Sequence, residues 1–468
     1  MSVKSLISLT LIFFLACGNL YAEDSLDDDL GGFDDAQEII DDEIIKAKTT
    51  EEKSIFTLSG DLAFKTSVGY KQHNIKSYKT NSTGINYSGI NQAQTSIYLQ
   101  LDTKLSHKWK VRISGDAFYD AIYDINSKNN YNNDTLDAYK TQLRLDDTYI
   151  QGQLTHDIDL KLGRQRVVWG KSDNIRITDI INPLDNRLPG MTDIEDLRLS
   201  VGMAKLDYYV GMWNISAMLI VENRIMIEAA PRSEFFPVDN IFSVASDPFT
   251  KLEDPTTSWD NMQYALAANG IFSGWDLSFY AADVLDQKWY IDPSTLTRKV
   301  SKIKMLGSAI NIATGNWLLK SELAYLNGVK YNSTTDAKNR LDALVGFEYM
   351  GIKDTVLSLE VASRHIFDYE SQMSQTTAKP DYVNKNELQT AMRVSRSFMN
   401  ETINTNALVS LFGASWEDGG FARVWVEYEL MTALNANFGV VDYIDGDKPF
   451  TKAIKDNDRI FADITYSF

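Results

Sequence analysis

The fold is decided by the segment RIFADITYSF, residues 459–468. Successive side chains of a β-strand point to opposite faces of a sheet, so every second residue of an extended segment shares a face. In this segment the residues that share one face are all apolar: Ile460, Ala462, Ile464, Tyr466 and Phe468. The segment therefore predicts a strand with one apolar face and one mostly polar face.

The same alternation returns along the chain from Ser54 onward. Clear examples are residues 56–71, 92–105 and 109–120. Each run is about ten residues or longer, whereas strands of soluble proteins have about five or six residues and tilted membrane strands need about 9–11. The length and the alternation together predict strands that cross a membrane.

The connections between these segments alternate in length. Short turns such as residues 106–108 and 155–157 are followed by long polar stretches such as 171–196, 222–261 and 287–301. Membrane barrels have this asymmetry because the turns on one side are tight and the loops on the other side are long. The pattern predicts an all-β fold over residues 54–468, an antiparallel up-and-down transmembrane β-barrel of about 18 strands, with about 16 as the alternative.

Aromatic residues support the membrane interpretation. Four tryptophans each open a strand just after a short turn, which predicts an aromatic girdle at one interface: Trp109, Trp213, Trp275 and Trp317. A last strand that ends in Phe, with an aromatic residue two positions earlier, is similar to the sorting signal of outer-membrane barrels. Tyr466 and Phe468 are therefore the predicted assembly signal, and an ordinary terminal strand is the alternative.

Composition excludes several classes of protein. The chain has 468 residues, of which 44% are hydrophobic, and its formal net charge of −18 argues against a nucleic-acid partner. Its only cysteine is Cys17, which excludes a disulfide within the chain. Beyond the N-terminus no run of about 18 apolar residues is present, so no spanning helix is expected.

The N-terminus has the features of an export signal. Lys4 precedes the apolar residues 6–16, and Leu20-Tyr21-Ala22 offers a cleavage site before Glu23. Residues 1–22 are therefore predicted to be a signal peptide. The alternative is a lipoprotein that is cleaved before Cys17.

Residues 23–53 form an acidic N-terminal segment, which is predicted to lie in the periplasm. Thirteen acids between Glu23 and Glu52 face only Lys46 and Lys48, so the local charge is 2 − 13 = −11. Five apolar residues recur among the acids at roughly helical spacing: Leu26, Leu30, Phe33, Ile40 and Ile44. The segment is either a disordered linker or an amphipathic element that docks on a basic periplasmic partner or plugs the lumen.

A short motif carries a resemblance to a known family. Gly163-Arg164-Gln165 is followed by Trp169-Gly170 and then by Asn182-Pro183-Leu184-Asp185. This arrangement resembles a large proteobacterial outer-membrane family of unknown function, and Gly-Arg-Gln is also similar to segments of porins. Members of that family are often encoded near transporters of the RND type, including the MMPL branch, and near a periplasmic protein like the lipoprotein carrier LolA. The resemblance implies movement of hydrophobic or lipid-like cargo together with an inner-membrane RND-type exporter, or a porin-like role.

Charged residues on and near the predicted strands are candidates for lining a pore. The candidates are Arg164, Arg166, Lys171, Arg176, Arg112 and Asp116. Arg164 and Arg166 are predicted to share a face, and a bulge is expected near Val168. A basic ladder would attract anions, and the alternative is that these arginines pair with acids of neighbouring strands. The turn-forming stretch Asn182–Gly190 either folds into the pore or forms an external loop.

The sequence offers no basis for catalysis. Its four histidines, His73, His107, His156 and His365, have neither a nucleophile pattern nor metal-ligand spacing. We therefore expect no enzyme activity, no cofactor and no metal. The expected function is an outer-membrane channel or transport component. The expected partners are outer-membrane lipid, the barrel-assembly machinery and a periplasmic or inner-membrane transport protein. The alternatives are a general or anion-preferring porin and a structural barrel with a closed lumen.

A double substitution in the acidic segment tests its predicted role. Leu30→Ser with Phe33→Ser removes apolar contacts but keeps the local charge, so transport or partner capture should fall while barrel assembly stays normal. Cargo export and pull-downs of periplasmic proteins measure the effect. Substitution of Ser25 and Thr49 by Ala serves as the control, and full transport by the Leu30 and Phe33 variant would show that the segment is only a spacer.

Overall fold

The computed structural model describes residues 56–71, 74–75, 85–231, 233–236, 253, 255, 261–292, 294–295, 297–332, 334, 336–374 and 382–468. The chain divides into a unit of residues 1–57, of which only Phe56 and Thr57 are described, and a unit of residues 58–468. The predicted signal peptide, Cys17 and the five apolar residues of the acidic segment lie outside the described residues.

The described part of the chain is built mainly from long strands. In chain order they are β1 (Phe56–Gly69), β2 (Gly89–Lys104), β3 (Trp109–Asp120), β4 (Thr141–Thr155), β5 (Ile158–Gln165), β6 (Val201–Val210), β7 (Trp213–Ile220), β8 (Gln263–Phe272), β9 (Trp275–Ile291), β10 (Arg298–Thr314), β11 (Trp317–Val329), β12 (Lys338–Ile352), β13 (Thr355–Ile366), β14 (Asn386–Phe398), β15 (Ile403–Phe412), β16 (Gly419–Met431), β17 (Leu434–Ile444) and β18 (Arg459–Ser467). The first residues of β3, β7, β9 and β11 are the four tryptophans of the predicted girdle.

Each of these strands pairs with the next one along the chain, and the ladders of the 18-stranded sheet are antiparallel. A short parallel ladder, Ile227↔Asp185 and Glu228↔Asn186, forms a separate two-stranded sheet. β1 also pairs with β18, in the register Asp61↔Ser467 to Gly69↔Arg459, which closes an 18-stranded barrel. Gly60 and Phe468 exchange two backbone hydrogen bonds, each of 2.9 Å, at the seam. The prediction of an antiparallel barrel of about 18 strands is confirmed.

The ends of the barrel differ. At one end, which we call the turn side, connections such as residues 156–157 and 211–212 have only two residues. At the other end, the loop side, long connections include residues 166–200 and 221–262. The connection from β9 to β10 was expected to be a long loop over residues 287–301. Instead it has six residues, because the two strands keep pairing as far as Ile291 and Arg298.

The outer face of the barrel is apolar. Leu62 and Phe64 of β1, and Ile464 and Tyr466 of β18, are all exposed on it. The inward-facing residues of the same strands include Lys65 and Asp463. The apolar residues of the segment 459–468 therefore face outward, as the alternation predicts.

The helices are short. They are α1 (Ile122–Ile125), α2 (Asn133–Tyr139), α3 (Ile194–Leu197) and α4 (Pro449–Ile454), with single 3-10 turns at Lys128–Asn130 and Ser371–Ser374. Within the described residues, no helix has the length and apolar character needed to cross a membrane.

The C-terminal aromatic residues generate a prediction about assembly. Tyr466 and Phe468 lie on the outer face with their rings stacked 6.2 Å apart, beside the seam between β1 and β18. Replacing both by Ala removes this pair at the strand that closes the sheet, so the amount of barrel in the outer membrane should fall severalfold. Heat-modifiable mobility on gels measures folded barrel. Ile464→Leu, on the same face, is the control, and normal levels of both variants would contradict the prediction.

Candidate permeation path

Residues 166–200, between β5 and β6, fold into the barrel, and we call them the inward segment. Asn182 closes its base: the side-chain carbonyl accepts a hydrogen bond from the Val167 N–H (2.7 Å), and the amide nitrogen donates to the Gln165 and Leu199 carbonyls. Asn182 and Gln165 are fully buried. Of the two alternatives for the stretch that begins at Asn182, the structure has the inward one.

The Trp-Gly pair turns the chain toward the far wall of the lumen. The Trp169 ring stacks on Tyr280 of β9, with centroids 4.7 Å apart, and the Gly170 N–H donates to the Tyr280 hydroxyl. Gly170 has a φ of +87°, and a Cβ at this position would lie 2.7 Å from an oxygen of Glu322. Only glycine fits here, because the carboxylate occupies the space of a side chain.

Glu322 of β11 is the main anchor of the inward segment. Its Oε1 accepts hydrogen bonds from the backbone N–H groups of Lys171 (2.6 Å) and Ser172 (2.7 Å) and from the Ser172 hydroxyl. Its Oε2 accepts from the N–H (3.1 Å) and the hydroxyl (2.8 Å) of Thr178. Glu322 is 2% exposed, and these five donors satisfy a charge that would otherwise be costly to bury.

A second carboxylate holds the tip of the segment. Glu360 of β13 accepts hydrogen bonds from the N–H groups of Asp173 (2.8 Å) and Asn174 (3.0 Å). Lys320 of β11 lies between the carboxylates of Asp173 (2.5 Å) and Glu348. The tip is thus fixed by groups on three strands, β11, β12 and β13.

Apolar contacts fill the remaining space between the segment and this side of the wall. Ile175, Ile177 and Ile181 belong to a buried cluster with inward-facing residues of β6 to β14. Several of the wall residues are alanines, which allow the segment to approach closely: Ala324, Ala362 and Ala391. The inner face of a membrane barrel is usually polar, and here the part that the segment covers is apolar.

On the opposite side of the lumen, next to β14–β18, the described residues line a series of cavities, three of which follow one another along the wall. The first, which we call the loop-side chamber, has a volume of about 280 Å³ between the inward segment and β14–β17. Its lining is mostly apolar and includes Leu184, Pro189, Ile194, Leu197, Leu408, Phe412, Phe421, Tyr443, Phe450 and Ile454. Strand direction places Phe412 and Phe421 near the loop side.

An ion cluster separates this chamber from the next. Asp193 of the inward segment accepts a hydrogen bond from Arg393 of β14 (3.0 Å) and one from Arg423 of β16. Both guanidinium groups lie over the Trp425 ring, at 5.4 Å and 3.9 Å from its centroid. We call Arg393, Asp193 and Arg423 the clamp.

Beyond the clamp the walls become polar. The turn-side chamber, of about 300 Å³, shares Thr192 and Asp193 with the loop-side chamber and is also lined by Lys65, Asp196 and Asp463. It shares its own lining residues Glu427, Asn437 and Asp463 with a mouth of about 460 Å³. The described lining of the mouth contains four carboxylates and no lysine or arginine: Glu401, Glu427, Glu429 and Asp463.

The structure pairs each predicted pore residue of β3 with a side chain of opposite charge. Arg112 binds Asp102 (2.8 Å), and Asp116 binds Arg144 (2.8 Å). These pairs join neighbouring strands on the inner face, the arrangement that was the alternative to a basic ladder.

Three predicted pore residues belong to the inward segment. Lys171 binds Asp276 of β9 (2.8 Å), and Arg176 binds Asp179 within the segment (3.1 Å). Arg166 lies 3.8 Å from Asp146. The chain leaves the strand at Gln165, so it does not continue to a bulge near Val168.

Arg164 lies apart from the other five. It shares a face of β5 with Leu162, which is 38% exposed on the outside of the barrel, and binds Glu222 (2.6 Å). Arg164 and Arg166 therefore do not share a face, because β5 ends between them.

Asp185, of the Asn-Pro motif, is held by arginines. Burial alone would raise its pKa, but hydrogen bonds and charge from Arg187 and Arg144 lower the pKa below its usual range. The carboxylate is therefore ionised at neutral pH and fixes this part of the segment against β4.

Sequence reasoning did not single out Glu322, Glu360, Arg393 or Asp193. The alternation of β11 does mark Glu322 as inward, since its neighbours Leu323 and Tyr325 are exposed outward. Its partners, however, lie about 150 positions earlier in the chain. No local pattern connects the two.

The family model described as a protein of unknown function, DUF1302, matches residues 42–468. No curated protein matches the sequence. Among solved structures, OccAB1 of Acinetobacter baumannii is 11% identical with a TM-score of 0.50, over 88% of this chain and 96% of that chain. OccK1 (OpdK) of Pseudomonas aeruginosa is 9% identical with a TM-score of 0.49, over 88% and 98%. A BenF-like porin from Pseudomonas fluorescens Pf-5 is 11% identical with a TM-score of 0.48, over 88% and 98%. At such identities the likeness concerns the fold alone.

Gly170 allows a test of the inward segment. In Gly170→Ala the new Cβ meets the Glu322 carboxylate and should displace the segment, so single-channel conductance and proteolysis of residues 166–200 should both rise severalfold. Gly89→Ala is the matched control, because Gly89 has a similar φ of +84° but nothing within 4 Å. Identical behaviour of the two variants would mean that backbone strain alone, and not the carboxylate, accounts for any effect.

Proposed function

This chain belongs to the DUF1302 family of proteins of unknown function, and we propose that it is a selective outer-membrane channel in which solutes pass along one side of the lumen. The observation that carries the proposal is the series of cavities from the loop-side chamber through the clamp to the mouth. Adjacent cavities share lining residues, so they follow one another along the barrel wall.

The inward segment makes the channel narrow. Glu322, Glu360 and Lys320 fix residues 171–178 across the β9–β13 side, and apolar packing leaves little space there. A solute is thus directed to the β14–β18 side, where the clamp is the constriction. A porin that only sieves by size has no need for an apolar chamber followed by arginines, which favours selectivity by chemistry.

The same cavities distinguish a channel from a structural barrel with a closed lumen. A purely structural barrel gains stability from a filled interior, since cavities cost contact energy. Here three cavities of about 280, 300 and 460 Å³ lie on one side, next to a tightly packed side. This unequal filling supports transport.

The apolar loop-side chamber favours cargo with an apolar part, which agrees with the hydrophobic or lipid-like cargo implied by the family resemblance. In this proposal the barrel lies in the bacterial outer membrane with the turn side and both termini toward the periplasm, as short turns usually are. The acidic segment at residues 23–53 would then face an inner-membrane exporter of the RND type or its periplasmic partner.

Thiol modification tests the path directly. Ser410 lines the loop-side chamber, whereas Ser278 is buried on the inner face of β9, two residues from Tyr280, which the Trp169 ring covers. A negatively charged thiol reagent should reduce the conductance of Ser410→Cys in planar bilayers by half or more and leave Ser278→Cys unchanged. Modification of Ser410→Cys without loss of current would contradict the path, and absence of any current in the unmodified protein would favour the closed barrel.

A further inference from the structure

The clamp contains two cations for one carboxylate. Arg423 is 3% exposed, and buried arginine charge requires a negative partner. Asp193 supplies one negative charge to both Arg393 and Arg423. Glu427 also lies near Arg423, but it accepts its hydrogen bond from the Trp425 Nε1 group. Asp193 is therefore the one carboxylate that the described contacts bond to either arginine, and the clamp can donate hydrogen bonds to a further anion beside it.

Hydrogen-bonding capacity is also left over. An arginine can bind a carboxylate through two parallel N–H groups, but Asp193 accepts only one bond from each arginine of the clamp. The Nε of Arg423 is buried and has no partner among the described residues, and its Nη1 reaches the Gly190 carbonyl only at 3.5 Å. A carboxylate that was free to reorient would use these donors better than the tethered Asp193.

The residues around the clamp indicate the polarity that the remainder of a ligand must have. On the loop side, the clamp adjoins the apolar chamber with Leu408 and Phe421 in its wall. Below the clamp, the Trp425 ring stacks under both guanidinium groups and offers a flat apolar surface. A molecule that fits must carry its charge at one end and an apolar body at the other.

We propose that the clamp is the binding site for an amphiphilic monocarboxylate, and that Asp193 occupies the place of the ligand's carboxylate when the site is empty. The ligand's charged end replaces Asp193 between Arg393 and Arg423, and its apolar body lies in the loop-side chamber. This rests on the proposed channel function and names the substrate class of that same path.

Replacement of Asp193 has a measurable consequence. A tethered group competes with an effective concentration on the order of millimolar, so the intact clamp should bind weakly. Asp193→Asn keeps the shape of the side chain and removes its charge. The freed arginines should then bind a carboxylate about tenfold more tightly, which is the gain expected when charge-assisted hydrogen bonds no longer have to be exchanged.

The test uses 3-phenylpropionate as probe, with calorimetric titration of the complete barrel in detergent. Its uncharged amide controls for partition into micelles, and acetate controls for the apolar body. Asp102→Asn is the matched control, because Asp102 also pairs with an inward-facing arginine, Arg112, but lies outside the three cavities. The expected result is that Asp193→Asn binds 3-phenylpropionate about tenfold more tightly than wild type does. Asp102→Asn should show no such gain, and neither the amide nor acetate should show it with any variant.

Arginine variants complete the test. Arg393→Gln should abolish the gain when it is combined with Asp193→Asn, and because Arg393 is partly exposed this variant should fold, as heat-modifiable mobility can verify. Equal affinities of wild type and Asp193→Asn would overturn the proposal. So would equal binding of the amide, or persistence of tight binding without Arg393.

Conductance separates this proposal from the channel function. Currents that persist while 3-phenylpropionate fails to bind would overturn the ligand site and leave the channel intact. Binding that meets every criterion in a protein without conductance would support the site and overturn the channel.

Discussion

Every backbone N–H and C=O group that lies in a lipid bilayer must find its partner within the protein, because lipid offers none. This constraint requires the sheet to close, and the closure is made where β1 meets β18. Gly60 and Phe468 exchange both of their backbone hydrogen bonds there. A cylinder closed in this way leaves no free edge, so variation is confined to the connections and to the lumen.

The same constraint governs what enters the lumen. A polypeptide segment that leaves a strand and packs against an apolar wall brings its own N–H and C=O groups with it, and these need acceptors and donors. Glu322 and Glu360 provide acceptors to four consecutive N–H groups, those of residues 171–174. The inward segment therefore depends on two carboxylates that are buried without a lysine or arginine hydrogen-bonded to them in the described contacts, and on a glycine at 170 that lets one of them approach. The Trp-Gly pair of the sequence motif has its physical reason in this contact.

Sequence alone predicts the features that repeat and misses those that depend on distant partners. Alternation gives the strand 459–468 its outward face and places each of four tryptophans at a strand start. Alternation of hydrophobicity marks only the part of a strand that contacts lipid, which is why the projecting ends of β9 and β10 resemble a loop in the sequence. The prediction that Arg164 and Arg166 share a face fails for a related reason. Every second residue shares a face only while the chain remains in the strand, and β5 ends at Gln165. The clamp joins residues about 200 positions apart, Asp193 and Arg393, so no local pattern predicts it.

The change from basic to acidic side chains along the proposed path affects how such a channel releases a bound solute. Tight binding slows passage, so conduction requires that a site be left as readily as it is entered. In this barrel the arginines of the clamp are followed on the turn side by Glu427, Glu429 and Asp463. Besides Arg423 of the clamp itself, Lys65 is the described cation in the lining of the turn-side chamber. An anionic group that passes the arginines therefore meets increasing repulsion, which lowers its affinity for the rest of the path. The apolar body leaves the loop-side chamber at the same step, and its hydrophobic gain is lost. An attractive site next to a repulsive mouth keeps the residence time short, and such a sequence of environments suits transport better than storage.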